Sequence, residues 1–160
     1  MMIAVQNEEN VKVVNALIKA GVKLNAYFGD SEQTILMMAA AFNDNPQVIN
    51  ALVKAGANVN VHDNEGRTPL IYAAGRNVNL GITEALLKAK ADVNIQDNDG
   101  WTALMDAAGH NDNPKIVSAL LKAGAKTYLK NNDYQTALDI AEEHLRQDTA
   151  KLLKDAMRKR

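Results

Sequence analysis

One threonine recurs at a fixed step through most of this chain. Thr34, Thr68, Thr102 and Thr136 lie 34 residues apart, and Leu52, Leu86 and Leu120 keep the same step. The best copy is 97–125, "DNDGWTALMDAAGHNDNPKIVSALLKAGA". The stretch "DNEGRTPLIYAAGRNVNLGITEALLKAKA" precedes it at 63–91, and a worn copy, "NNDYQTALDIAEEHLRQDTAKLLKDA", follows at 131–156. A period in this range implies a stack of like units that bury their apolar faces only against one another. A single domain over residues 1–160 follows, with units at 1–26 (partial), 27–62, 63–96, 97–130 and 131–160 as a terminal cap.

Each unit reads as turn, short helix, tight corner, second helix and Gly stop. The Thr hydroxyl is suited to accept from free N–H groups of the first helical turn. "ILMMAAAF" then places small Ala39 and Ala40 where a neighbouring helix approaches. "NDNP" at 43–46 forms the corner, with Asn45 as cap and Pro46 at the first position of the second helix. Val48, Ile49, Leu52 and Val53 share one face of that helix, and Gly56 ends it. Gly66 and Gly100 mark tight turns, and Asn60 and Asn94 are expected to bond to nearby backbone in theirs.

The ends differ. Residues 1–26 align with the second half of a unit, with Leu17 and Ile18 in the places of Leu52 and Val53, so the first helix begins almost at Met1. This is either a shortened cap or an entry partway into a longer array. The last unit carries Tyr134 in the glycine slot, a charged first helix and basic residues in its final turn, where they favour the negative end of the helix dipole. It reads as a natural C-terminus, with Leu152 as its core leucine.

The repeated "DNEGRTPL" and "DNDGWTAL", paired alanines, "ALLKA" and "AGANVN" resemble the ankyrin repeat over nearly the whole chain. The 34-residue period and Asn-rich corners are similar to a bacterial-type variant. The usual His after "TPL" is replaced by Met37, Ile71, Met105 and Asp139, so a ladder through that His is absent. The extra corner residue is expected to bulge there and leave the opposite face little altered. The resemblance implies an all-α solenoid of helix-turn-helix units with short β-hairpin loops, acting as a non-catalytic protein-interaction module. Its concave face, built from hairpin tips and first helices, implies a partner-binding row of Gln33, Arg67, Trp101 and Gln135. Further rows contain Met38, Tyr72 and Asp106, then Phe42, Arg76, His110 and His144.

Trp, Tyr and Arg are common interface anchors, and Trp101 is the one Trp of the chain. Local packing over its own hairpin is the other reading of Trp101, and Phe42 has the same two. A purely architectural spacer is the alternative function, and a ligand or metal site at Asp106, His110 and His144 a further one. His110 and His144 are expected about 10 Å apart, the spacing of packed helices, too far to share a metal. Asp106 and His110, four residues apart, are expected to hydrogen-bond.

Composition limits other classes. A net charge of −1, from 18 basic and 19 acidic residues, lacks the excess that phosphate backbones demand, which argues against nucleic acid. No cysteine is present, which removes thiolate and Cys-zinc chemistry. No Gly-rich phosphate loop, Ser–His–Asp set or complete calcium loop occurs, so neither an enzyme nor a cofactor is expected. No apolar run approaches the ~20 residues of a membrane span. A monomer is expected. The start "MMIAVQNEEN" lacks the form of a signal peptide. The compartment stays open, the cytoplasm being favoured and a secreted or periplasmic site fitting a chain whose leader was removed.

Overall fold

The 34-residue step becomes a two-layer stack of helix pairs in a computed structural model, which describes residues 11–158. Among these residues nine helices follow in order: α1 (Val11–Lys19), α2 (Ile35–Phe42), α3 (Pro46–Lys54), α4 (Pro69–Arg76), α5 (Leu80–Lys88), α6 (Ala103–His110), α7 (Pro114–Lys122), α8 (Ala137–Glu143) and α9 (Gln147–Arg158). One layer stacks α2, α4, α6 and α8, and the other stacks α1, α3, α5, α7 and α9. The expected helix at the very start of the chain lies outside the described residues. The hairpin loops reduce to isolated bridges, Phe28 with Gln33 and Gln96 with Thr102, so the fold is all-α. No described helix is long and apolar enough to cross a membrane.

Local chemistry sets the ends of these helices. The hydroxyls of Thr68, Thr102 and Thr136 accept from the N–H of Ile71, Met105 and Asp139. Asp139 returns the bond by accepting from the Thr136 N–H at 2.8 Å. At the corners, Asn45, Asn79 and Asn113 accept from the second residue of α3, α5 and α7. Pro46 and Pro114 occupy the first helical position, where no N–H is needed.

Packing follows the same register. The pairs Ala39–Ala40, Ala73–Ala74 and Ala107–Ala108 are buried completely, as are Leu52, Leu86 and Leu120. Small residues let first helices approach closely, and the leucines fill the space between layers. The final unit departs by one residue. There α8 has seven residues where α6 has eight, so the corner arrives early and α9 shifts. Leu153, not the expected Leu152, is the fully buried leucine, and Leu152 is half-buried.

Asparagines tie the layers together. Asn77 Nδ2 donates to the carbonyls of Ala40 and Asn43 at 3.1 and 2.9 Å. Asn111 repeats this one layer on, to Ala74 and Asn77 at 2.8 and 3.0 Å. In the last unit Arg146 takes over, donating to the carbonyls of Gly109 and Asn111. A second ladder runs through the hairpin tips, where Asn64, Asn98 and Asn132 donate to the carbonyls of Asp30, Asn64 and Asn98. Asn60 and Asn94 depart from the expected bonding within their turns. Their side chains instead accept from the N–H of Asp92 and Lys126 in the following unit, because the stacked turns bring that backbone within reach.

The turn glycines are required by the same stacking. Gly66 and Gly100 both have φ +79, and a Cβ on either would meet the next unit's turn at under 3 Å. Beyond the last unit no described turn presses on this position, and Tyr134 adopts φ 63 while 80% exposed.

Candidate functional site

The first-helix layer and the hairpin ends bring row residues from two units to one groove. It encloses about 340 Å³ and is lined by Arg67, Ile71, Tyr72, Gly75, Arg76, Asp106 and His110. Five of these are row residues; Ile71 and Gly75 are additions. Gly75 matters because a Cβ there would come within 2.9 Å of Asp106 Oδ1. A bare α-carbon therefore lets the Asp106 side chain approach α4 closely.

Tyr72 lines the groove although it is only 4% exposed. Its hydroxyl donates to Asp63 Oδ2 at 2.6 Å and accepts from Gln33 Nε2 at 2.6 Å. Burial and the bond to Asp63 push the phenol above its ordinary range. Gln33 is thus engaged one layer away from its own hairpin. Asp63 also accepts from the N–H groups of Glu65 and Arg67, which locks the turn beneath. Asp97 does the same for Asp99 and Trp101. Burial raises its carboxyl, opposed by these N–H donors.

Arg67 bridges two units, with Nη1 2.6 Å from Glu65 and Nε 3.7 Å from Asp97. Arg76, at the end of α4, lies with its guanidinium carbon 5.1 Å from the Tyr72 ring centroid, a cation–π geometry. Phe42 occupies the equivalent end of α2 and is 44% exposed.

Trp101 is half-buried, and its ring packs along its own first helix. Its ring stacks on His110 at 5.4 Å between centroids and 22° between planes. Gly109 makes room, since its α-carbon faces both Trp101 and Ile140. Gln135, in the same slot one unit later, reaches Glu143 at 2.6 Å along α8.

His110 and His144 are closer than helix spacing suggests, at 6.0 Å between ring centroids in an edge-on arrangement. Helix spacing measures axes, whereas both rings extend from the helix ends toward each other. Their Nδ1 atoms are occupied, His110 on Asp106 Oδ1 at 3.1 Å and His144 on the Ile140 carbonyl at 3.0 Å. Among the described residues no group of three or more His, Asp or Glu is arranged to hold a metal.

The Asp106 bond raises the His110 pKa above its ordinary 6.5; burial opposes this, as do Arg67 and Arg146 nearby. A raised folded-state value favours the imidazolium in the fold. Its stabilisation is complete below the unfolded value and fades as pH rises through the folded one. Since the side chain is 52% exposed, solvent keeps the energy small. Asp106→Asn should lower the His110 midpoint in an NMR titration and leave the fold intact. An unchanged midpoint would show that the carboxylate does not hold the ring.

Two signals for this site were present in the chain and point beyond the row residues. The Asn43, Asn77, Asn111 and Asp63, Asp97, Asn131 series keep the 34-residue step as strictly as the threonines. The first series joins the corners of successive units, and the second fixes the turns that carry Arg67, Trp101 and Gln135.

No curated protein matches the chain. The family description "Ankyrin repeats (3 copies)" matches residues 1–97 and again 76–159. Ankyrin repeats are generally protein-interaction modules and typically non-catalytic. With matches that span nearly all of the chain and a stack of helix pairs of the same period, the chain belongs to the ankyrin repeat family.

Proposed function

We propose that this protein is a non-catalytic interaction module that holds a protein partner on the face formed by its hairpin ends and first helices. The observation that carries this reading is the groove between α4 and α6. It gathers Arg67, Tyr72, Arg76, Asp106 and His110 from two units onto one surface, with exposed Phe42 one unit away. Arg and aromatic side chains held in place by packing are suited to binding, because little freedom remains to be lost on association. Hydrogen bonds fix Tyr72, and stacking fixes His110 against Trp101. The binding set is Gln33, Phe42, Arg67, Tyr72, Arg76, Trp101, Asp106, His110 and Gln135. Of these, Tyr72 and Gln33 act by shaping the surface.

The test is a capture experiment with wild-type protein and the double variant Phe42→Ala with Arg76→Glu. Both side chains are exposed, so circular dichroism should show the variant folded. A partner retained by wild type and lost by the variant is the expected result. Equal retention would move binding to another face. No partner at all would favour the spacer role.

A further inference from the structure

The charges in the α4–α6 groove are unevenly satisfied. Every acid in or under it is already held. Asp106 bonds His110, Asp63 bonds Tyr72 and two backbone N–H groups, and Asp97 holds two N–H groups beside Arg67. The cations are not all held. Arg67 is committed to Glu65 and Asp97, but Arg76 pairs with no carboxylate among the described residues. It rests on the Tyr72 ring instead. That ring is locked at its hydroxyl by Asp63 and Gln33, so it offers the guanidinium a fixed platform. Gly75 lines the groove beside it, with the Asp106 side chain close over its α-carbon.

From this asymmetry we infer that the groove takes an acidic peptide segment, one carboxylate of which pairs with the Arg76 guanidinium. This rests on the function proposed above and names the chemistry of the partner. A guanidinium offers parallel donors that match a carboxylate bidentately. The His110 ring, backed by Trp101, forms an adjacent wall for the apolar part of the same segment. A basic segment would meet one lining acid, Asp106, which already pairs with His110. A nucleic acid strand asks for several phosphate contacts, whereas the groove has one uncommitted arginine.

The probe is a set of peptides selected from a random library displayed on phage against the whole chain. Selected sequences should be rich in Asp or Glu. For one such synthetic peptide, exchanging the key carboxylate for its amide should weaken binding about tenfold, as for loss of a charge-assisted hydrogen bond. Arg76→Gln should lose a similar factor toward the acidic peptide and little toward the amide. Arg76→Lys should keep part of the affinity, and binding should weaken as salt rises. Peptides that are sensitive to Phe42→Ala or His110→Ala but indifferent to Arg76→Gln and to amidation would overturn this inference and leave the interaction module standing. Peptides insensitive to all of these substitutions, or a library that yields none, would overturn both. A thymidine oligonucleotide that binds as well as the acidic peptides would overturn the peptide assignment.

Discussion

Leu86→Ala is expected to destabilise the protein by about 2–5 kcal/mol, the usual range for emptying a buried leucine site. Leu86 is fully buried on α5, which packs against α3 and α7 on its two sides and against α4 in the other layer. Stability in a repeat stack is close to a sum of unit and neighbour terms. A cavity in a central unit therefore weakens two interfaces. Leu153 is just as buried, but α9 packs against α7 and α8 only from one side, so Leu153→Ala should cost less. Leu152→Ala should cost least. Urea unfolding followed by circular dichroism ranks the three. A Leu152 effect equal to that of Leu153 would refute the shifted register of α9. Equal losses at Leu86 and Leu153 would refute the argument from neighbours.

The layer order and most of the register were legible because identical residues recur at one step. Thr68, Thr102 and Thr136 cap their helices, and Leu52, Leu86 and Leu120 fill the core, as that step implies. The last corner was not legible. "EEHLRQD" contains no Asn-x-Asn-Pro to mark its turn, and Leu145 enters the left-handed region at φ 57 while 84% exposed. Side-chain direction was the other gap. The 34-residue step puts Tyr72 in a surface row, but its hydroxyl reaches back nine residues to Asp63 and draws the ring under cover. Position within a repeat states which element a residue occupies; the reach of a long side chain depends on what the neighbouring layer offers it. The same reach closes the His110–His144 distance to 6.0 Å. Likewise Asn60 and Asn94 satisfy backbone in the following unit.

Asn77→Asp is expected to cost about 3–5 kcal/mol near neutral pH, despite almost no change in shape. Asn77 is buried, donates to the carbonyls of Ala40 and Asn43, and accepts from the N–H of Asn79. A carboxylate keeps the acceptor and loses the donor. It would face two carbonyl oxygens from a buried position, and an uncompensated buried charge carries a penalty in this range. Asn77→Ala takes the donor from the same two carbonyls and the acceptor from the Asn79 N–H, at about 1–3 kcal/mol for a group left unsatisfied, but it buries no charge and so carries no titrating penalty. The sign of the pH dependence follows. The introduced acid would titrate above the ordinary value of about 3.9, so its penalty is present above the unfolded value and shrinks as pH falls through the folded one. The stability of Asn77→Asp relative to Asn77→Ala should therefore rise on acidification. The same exchange two residues on, Asn79→Asp, supplies the control. Asn79 caps α5 through Gly81, and an aspartate serves that role as well as an asparagine, at the cost of the bond to the Asp44 carbonyl. It should lose about 1 kcal/mol or less, the scale of one exposed hydrogen bond. If thermal unfolding ranked Asn79→Asp beside Asn77→Asp, the asparagine ladder would be an accompaniment of the stacking and not one of its causes.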